Sequence, residues 1–242
     1  MSKVSVDLNT PSPYIEKDSW LHRFKRKLTY AFALKFIKRY SLKHGYQSLL
    51  EIGTGSGYFM SSCHDTYPGI KLSGIEYDPR LLTVTQSRAP YAECTQGNAE
   101  KFDLLPKKFD VIVSFQVIEH LYKPEEMLLR VKEHLNDGGI FIFTTPNLAG
   151  FGAKYMGTKW HGYRDDHVAL KTAEEWVSLL INNGFQTKYA GSTFFTGIPF
   201  MNKLPLGIFN WALLLVFGSL RWFKGESFVG VFTVNNNLKE KS

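Results

Sequence analysis

Hydrophobic and polar positions along the chain follow two patterns in turn. Between residues 19 and 42, apolar residues recur every three or four positions, which predicts a helix. From residue 46 onward, short apolar runs rich in β-branched residues alternate with segments of helical period. The predicted strands are Ser48–Ile52, Lys71–Glu76, Asp110–Phe115, Ile140–Thr145, Gln186–Ala190 and Phe228–Val234. The predicted helices between them lie near Tyr58–Thr66, Arg80–Ser87, Pro124–Leu135 and Thr172–Asn182. We therefore expect a doubly wound α/β fold, with a mostly parallel sheet and helices on both faces.

The domain organisation follows from the same pattern, because no linker-like stretch divides the chain. We expect residues 1–45 to form a polar tail and a basic amphipathic helix. Residues 46–242 are then a single α/β domain, with a hydrophobic insert at residues 196–224 before the last strand.

Charge and cysteine content indicate what the protein could contact and in which cellular compartment it lies. The net charge of +7 is uneven, since residues 21–45 hold eight Lys or Arg and no carboxylate. Such a segment indicates an anionic neighbour (a membrane surface, a nucleic acid or an acidic substrate) or simply a solvated helix face. Two cysteines, Cys63 and Cys94, are too few for a disulfide framework, and the polar first residues do not resemble a signal peptide. We expect a cytoplasmic protein.

A glycine-rich turn, LLEIGTGSGYF at residues 49–59, follows the first predicted strand. Its glycines let the backbone turn sharply and let a ligand approach. Tyr58 stands where a dinucleotide-binding fingerprint would have its third glycine. Glu51 lies within the buried strand, where a carboxylate suits a ligand with a positively charged amino group better than a pyrophosphate.

Polar residues also follow the later strands. Glu76 ends the second strand, where a carboxylate can accept hydrogen bonds from both hydroxyls of a ribose. Residues 97–100, Gly-Asn-Ala-Glu, offer polar groups that could meet an adenine amino group. Two further buried runs, FDVIVSFQVIEHL at residues 109–121 and GGIFIFTTPN at residues 138–147, each end in a polar turn.

Taken in order, these motifs resemble the class I S-adenosylmethionine-dependent methyltransferases of the ubiquinone-biosynthesis O-methyltransferase type, over residues 46–190. The resemblance implies a Rossmann-like, seven-stranded sheet whose last strand, Phe228–Val234, inserts antiparallel beside the fifth. It implies S-adenosyl-L-methionine as the cofactor. The residues that it would place around the cofactor are Glu51, Gly53, Gly55, Gly57, Glu76, Asn98, Ala99 and Gln116.

The resemblance also assigns a role to each of these positions. Glu51 and the three glycines would surround the methionine end of the cofactor, and Glu76 would hold the ribose. Asn98 and Ala99 would meet the adenine, and Gln116 would lie beside the cofactor. The family often has aspartate where Asn98 stands, so the expected bond to the adenine amino group lacks charge assistance.

Histidines are the candidate catalytic groups, because methylation of a hydroxyl requires a base near neutral pH. His120, His161 and His167 all follow strands at the edge where ligands bind in open α/β sheets. The family often has a histidine shortly before the next helix, which His167 matches, with Asp165 and Asp166 near enough to orient it. We expect His167 or His120 to be catalytic, although a capping or packing role also fits His120. No metal-ligand spacing is present, so we expect no metal.

The hydrophobic insert carries no charge from Leu204 to Leu220. Because both flanking strands belong to one sheet, and proline and glycine interrupt the insert, we expect a hairpin in the membrane interface rather than a span. A wall of the substrate pocket or a subunit interface are the alternatives.

Insert and basic helix together predict a peripheral enzyme at the inner face of the membrane. Its acceptor would be hydrophobic or lipid-linked, such as a quinone precursor, a lipid or a carrier-bound glycan, methylated at oxygen. The alternatives are a soluble small-molecule methyltransferase and a non-catalytic cofactor-binding interaction protein. A nucleic-acid substrate is disfavoured because no RNA-binding module is recognisable. The sequence does not indicate an oligomeric state.

Overall fold

The computed structural model describes residue 12, residues 30–40, 45, 47–193, 205–209, 212 and 219–234. The helices are α1 (residues 30–40), α2 (Tyr58–Thr66), α3 (Pro79–Arg88), α4 (Pro124–His134), α5 (Phe151–Met156) and α6 (Ala173–Asn182). The strands are β1 (Ser48–Ile52), β2 (Lys71–Glu76), β3 (Glu93–Gln96), β4 (Phe109–Phe115), β5 (Leu135–Pro146), β6 (Phe185–Thr193), β7 (Ser219–Leu220) and β8 (Ser227–Val234). Two 3₁₀ turns, Ile118–His120 and Gly157–Lys159, follow β4 and α5.

All of these strands form one sheet in the order β3-β2-β1-β4-β5-β8-β6-β7. Strands β1 to β5 pair in parallel, and β8 lies antiparallel between β5 and β6, as expected. The prediction of seven strands is wrong by one, since the described part of the sheet contains eight. The additional strand β7 is the end of the hydrophobic insert and pairs with the end of β6, with Leu220 opposite Ser192.

A separate hydrophobic core lies on each face of the sheet. Because both cores need apolar residues from strands and helices, the alternation of strands and helices could be predicted from the sequence. Along β5, Ile140 and Ile142 face the core that α1 and α2 cover. The intervening Phe141 and Phe143 face the core that α4 and α6 cover. The sheet is therefore buried on both sides, and its carboxyl edge is the natural place for a ligand.

The predicted helices and strands are confirmed to within a few residues at their ends, except that β5 begins five residues earlier, at Leu135. Strands β3 and β7 and helix α5 were not predicted. Strand β3 is an edge strand with one buried residue, Cys94, so it carries no hydrophobic run. The short helix α5 lies between β5 and α6, and the amide of Phe151 at its start donates to the carbonyl oxygen of Lys224 at 3.0 Å. Strand β7 has only two residues.

The described part of the basic helix is integral to the fold. In α1, Ala33 and Ile37 are fully buried, whereas Lys35, Lys38 and Arg39 are exposed. The rest of the predicted helix lies outside the described residues, as do residues 196–204, 210–211 and 213–218 of the insert. Within the described ranges, no helix has the length and apolar character needed to cross a bilayer.

Candidate active site

The glycine-rich turn joins β1 to α2 at the carboxyl edge, beside the point where the strand order reverses between β1 and β4. Gly53 has φ +77°, and a Cβ there would lie 2.4 Å from Cγ2 of Val117, so only glycine fits. Gly55 has φ +53°, and a Cβ there would meet nothing within 4 Å. Gly57, also at positive φ, is the N-cap of α2. The backbone at Gly55 is therefore open to an approaching ligand.

Side chains of helix α3 hold the glycine-rich turn in place. The hydroxyl of Thr85 donates to the carbonyl oxygen of Gly55 at 2.8 Å and lies 3.2 Å from the hydroxyl of Thr54. Arg88 donates to the carbonyl oxygen of Ser56, and its guanidinium lies 3.7 Å from the ring centroid of Tyr58. Tyr58, which stands where a dinucleotide-binding fingerprint would have glycine, therefore helps to support the turn through its contact with Arg88.

Two buried carboxylates, Glu51 and Glu76, lie on neighbouring strands at this edge. Oε2 of Glu51 has no hydrogen-bond partner among the described residues, although the side chain is buried. Burial, and secondarily the charge of Glu76, raises the pKa of Glu51 well above its ordinary value. A buried carboxylate oxygen in this state indicates a missing cationic or hydrogen-bond-donating partner.

Glu76 already accepts two backbone hydrogen bonds. The amide of Gly55 donates to Oε2 at 2.7 Å and the amide of Asp78 donates to Oε1 at 3.0 Å. Burial raises the pKa of Glu76, and these amides oppose that effect. Each carboxylate oxygen keeps a second lone pair, so the expected contact with two ribose hydroxyls remains open.

Asn98 and Ala99 begin the turn after β3. Oδ1 of Asn98 accepts the amide of Glu100 at 2.7 Å, which leaves this oxygen one further lone pair for a ligand. Ala99 is half-buried and packs against the hydrophobic core. Asn98 therefore has a turn-forming role in addition to the adenine contact that the resemblance implies.

Gln116, directly after β4, has φ +55° and is the one non-glycine residue at positive φ in the described part of the chain. Its amide donates to the carbonyl oxygen of Thr144 at 2.9 Å, and its Nε2 donates to the hydroxyl of Thr144 at 3.2 Å. Strained backbone of this kind concentrates at functional sites.

The fold brings His167 to the neighbouring residues Glu119 and His120, although His167 is 47 positions after His120 in the sequence. One ligand atom from each lies within 4.8 Å of the others, and the two imidazole rings are 4.6 Å apart between centroids. Nδ1 of His167 lies 2.8 Å from the carbonyl oxygen of Gly162, and Nδ1 of His120 lies 3.0 Å from that of Asp166. Because a carbonyl oxygen only accepts, both histidines carry a proton on Nδ1, and in the neutral imidazole the lone pair is then on Nε2.

Two members of this cluster, Glu119 and His120, have shifted pKa values. Burial raises the pKa of Glu119 to about 8, against two weaker hydrogen-bond effects, one of them from Thr145. Oε2 of Glu119 accepts the Thr145 hydroxyl at 3.1 Å, and its Oε1 has no partner among the described residues. Burial first, and then His167, lowers the pKa of His120 below its ordinary value. Near neutral pH the site therefore holds a protonated carboxyl and a neutral imidazole.

The third histidine candidate lies elsewhere. Nδ1 of His161 is 3.3 Å from Oε1 of Glu226, and the His161 side chain is 58% exposed. The expected orientation of His167 by aspartate is wrong, because Gly162 accepts its Nδ1 proton while Asp166 lies beside His120. The conformation of the loop before His167 determines which oxygen each imidazole contacts. Proximity in the sequence did not predict these contacts.

Residues outside the predicted set also build the site. Thr85, Glu119 and Asn147 are fully buried polar residues at the carboxyl edge. Asn147 donates from Nδ2 to the carbonyl oxygens of Phe223 and Gly225, both at 2.9 Å, and its Oδ1 accepts the amides of Ala149 and Ala173. Glu119 and Asn147 could have been identified in the sequence, because each is a polar residue at the end of a largely apolar run, in FQVIEHL and TTPN respectively.

Comparisons with known proteins agree with this geometry. Residues 19–189 match the family model described as "Methyltransferase domain", which is well over half of the chain. A probable S-adenosylmethionine-dependent methyltransferase of Mycolicibacterium smegmatis is 31% identical over 142 residues, covering 59% of this chain and 53% of that protein. A ubiquinone biosynthesis O-methyltransferase of Azorhizobium caulinodans is 31% identical over 119 residues, covering 45% of this chain and 46% of that protein. The chain thus spans about half the length of these curated relatives.

Among solved structures, the plantazolicin methyltransferase BamL, in complex with a triazolic desmethylPZN analog and SAH, has a TM-score of 0.65. The alignment covers 89% of each chain at 17% identity, a likeness that concerns the fold. The Rossmann-like sheet, the glycine turn with its two carboxylates and the family match lead to one assignment. The chain belongs to the class I S-adenosylmethionine-dependent methyltransferases, whose cofactor is S-adenosyl-L-methionine.

Proposed function

We propose that this chain transfers a methyl group from S-adenosyl-L-methionine to an oxygen of a hydrophobic or lipid-linked acceptor at a membrane surface. The observation that carries the proposal is the cluster of His120 and His167 beside Glu119, at the same sheet edge as the glycine turn. In its neutral form, each imidazole has its lone pair on Nε2, because Nδ1 donates to a backbone carbonyl oxygen.

The residues at the turn fit the cofactor. Glu51 offers a buried carboxylate oxygen in need of a partner, and a protonated amino group would supply one. Gly55 leaves room for close approach, and Glu76 has lone pairs for two hydroxyls. When bound, S-adenosyl-L-methionine supplies an activated methyl group, so the protein's own work is alignment of the acceptor and removal of its proton.

His167 is the base in this proposal. Its Nδ1 proton is held by the carbonyl oxygen of Gly162, so Nε2 can accept the proton of an acceptor hydroxyl. Neighbouring His120 has a lowered pKa, and Glu119 keeps its proton because burial raises its pKa to about 8. Glu119 and His120 are therefore both uncharged near neutral pH, and Oδ2 of Asp166 lies 3.5 Å from Nδ1 of His120.

The same three side chains have a second candidate role. Their ligand atoms lie within 4.8 Å of one another, a distance at which one divalent cation could bind all three. Sequence spacing did not reveal this arrangement, because His167 belongs to a different loop. A cation would require Glu119 to lose its proton, so activity measured with and without a chelator, followed by added Mg²⁺ or Zn²⁺, separates this role from that of an acid–base cluster.

A surface formed by residues after β5 and residues shortly before β8 supports the membrane part of the proposal. We call it the aromatic–basic surface and define it as Phe151, Lys154, Tyr155, Trp222 and Lys224. Phe151 and Tyr155 are 38% and 68% exposed, and the ring of Phe151 lies 5.8 Å from that of Trp222. Residues 147–164 and 219–225 together contain five Lys or Arg and no carboxylate. Exposed aromatic rings with cations between them suit an anionic bilayer interface.

One experiment tests the proposal against its alternatives. The purified chain is incubated with methyl-labelled S-adenosyl-L-methionine and a total cell extract, which is then separated into lipid and aqueous fractions. Label in the lipid fraction, lost in His167→Ala, is the expected result. Label only in aqueous small molecules favours the soluble methyltransferase. Cofactor binding without any transfer favours a non-catalytic binding protein.

A further inference from the structure

A buried carboxylate lies one residue before β8, where the chain returns from the insert. Glu226 is 4% exposed, and its Oε1 accepts a hydrogen bond from the indole Nε1–H of Trp160. Its backbone carbonyl oxygen accepts the amide of Asn147 at 3.0 Å, so it also joins the end of β5. Neither Glu226 nor Trp160 touches the reacting atoms in the proposed mechanism.

Trp160 connects Glu226 to the loop that precedes His167, because its indole contacts both. Its side chain is 1% exposed, and a buried indole N–H requires an acceptor, which Glu226 provides. The indole ring lies against Gly162, where an added Cβ would be 2.2 Å from ring carbon Cζ3. The ring therefore determines where the backbone of residue 162 lies.

Gly162 in turn determines the protonation of the candidate base. Its carbonyl oxygen accepts the Nδ1 proton of His167 at 2.8 Å. This acceptor favours the tautomer with a lone pair on Nε2, which is the form that a general base acting through Nε2 needs. The contacts run without a gap from Glu226 through Trp160 and Gly162 to His167.

We infer that Glu226 is a positioning residue that sets the tautomer and orientation of His167 through the indole of Trp160. This inference rests on the proposed function, because the tautomer matters to catalysis only if His167 is the base. It also explains a carboxylate with so little exposure at the start of an otherwise apolar strand. The loop of His167 is thereby tied to the residues that end the insert.

Imidazole nitrogen resonances measure the tautomer directly, without acceptor or cofactor. The full chain is labelled with ¹⁵N-histidine, and the His167 signals are identified by their loss in His167→Gln. At pH about 8.5, where ordinary imidazoles are neutral, we expect the Nδ1–H form of His167 in the wild type. In Trp160→Phe and in Glu226→Leu, the ratio of the Nδ1–H to the Nε2–H form should fall by roughly five- to tenfold. Glu226→Gln keeps an acceptor oxygen for the indole and should retain the wild-type ratio.

The chain contains a matched internal control. His134 also donates from Nδ1 to a backbone carbonyl oxygen, that of Arg130 at 2.8 Å, while its Nε2 accepts the amide of Leu104 at 2.8 Å. Its tautomer should not change in any of the variants. An unchanged His167 signal in Trp160→Phe would overturn the inference. So would loss of the His134 signal together with that of His167 in both variants, because Glu226 would then support the whole fold.

Failure of this inference is distinguishable from failure of the proposed function. A shifted tautomer with full activity in His167→Ala would confirm the contact chain and remove His167 as the base. An unshifted tautomer with an inactive His167→Ala would leave the base in place and remove Glu226 as its positioning residue.

Discussion

The hydroxyl of Thr85 donates a hydrogen bond to the carbonyl oxygen of Gly55 at 2.8 Å, from helix α3 to the open turn of the glycine motif. Thr85 is fully buried. Gly55 has a φ of +53°, and a Cβ there would meet nothing within 4 Å. This bond holds the segment where we propose that the cofactor binds. Preorganisation of the turn thus comes from a residue 30 positions away in the sequence.

Thr85→Val keeps the β-branched shape of the side chain but removes the donor. We expect the free energy of unfolding to fall by about 1 kcal/mol and the Kd for S-adenosyl-L-methionine to rise severalfold. Thr83→Val is the matched control, because Thr83 is exposed on the same helix and donates to the carbonyl oxygen of Pro79 at 3.0 Å. Urea denaturation and calorimetry measure both quantities. Equal cofactor affinity in the two variants would contradict a role for Thr85 in the turn.

Glu76→Ala should weaken cofactor binding by roughly 1–3 kcal/mol, because it leaves the amides of Gly55 and Asp78 and the ribose hydroxyls without their acceptor. Calorimetric titration with S-adenosyl-L-methionine gives the change. The exposed carboxylate Glu93 on strand β3 is the control, and Glu93→Ala should bind like the wild type. Binding of NAD without binding of S-adenosyl-L-methionine would refute the assignment of the site.

His167→Ala should lower the catalytic rate by about 10²–10⁴ while the affinity for S-adenosyl-L-methionine stays nearly unchanged. The reason is that His167 takes the acceptor's proton in the proposed mechanism, while its side chain contacts Gly162 and His120. Label transfer into the lipid fraction measures the rate, and His64→Ala, whose ring stacks on Tyr91 at 3.7 Å, is the control. Wild-type activity in His167→Ala would exclude it as the base and shift attention to His120.

The ionisation of Glu119 should make the protein less stable as pH rises. Burial raises the folded-state pKa from 4.5 to about 8, so between these values the unfolded chain loses a proton that the folded protein keeps. Glu119→Gln removes this effect. Relative to the wild type, its free energy of unfolding should therefore increase by a few kcal/mol between about pH 5 and pH 8, at about 1.4 kcal/mol per pKa unit.

Urea denaturation at the two pH values measures that difference. The exposed Glu93 has no such burial, and Glu93→Gln should not produce an increase of this sign. A Glu119→Gln variant whose stability relative to the wild type is the same at both values would show that Glu119 is ionised in the folded protein.

The intact chain should sediment with anionic vesicles, and high salt should weaken this binding without abolishing it. Salt screens the cations, whereas burial of aromatic rings persists. Phe151→Ser combined with Tyr155→Ser should remove the salt-resistant part, because both rings are exposed on the aromatic–basic surface. Ile181→Ser, an exposed apolar residue on α6, is the control. Wild-type chain that stays in the supernatant at low salt would refute the membrane part of the proposal.

Local pattern alone was enough to predict most of the fold. The parallel strands are buried on both faces, so they appear in the sequence as apolar runs, and β1 and β2 were predicted with their observed ends. Glycines at positive φ and carboxylates at strand ends are likewise local requirements. The sequence alone therefore predicted the glycine turn, where the structure shows Gly55 at positive φ and the carboxylates Glu51 and Glu76 buried.

Tertiary structure alone decided which polar groups meet. His120 and His167 are 47 positions apart, and their rings are neighbours only because β4 and β5 are adjacent in the sheet. The raised pKa of Glu119 comes from burial, which depends on what the folded chain places around it. Strand β7 exists because the end of β6 offers a free edge to two residues with no strand pattern of their own. The sequence by itself determined the elements and the glycine turn, since both arise from short-range geometry. The cluster of Glu119, His120 and His167, and the contacts that lead from Glu226 to His167, required segments far apart in the chain to meet.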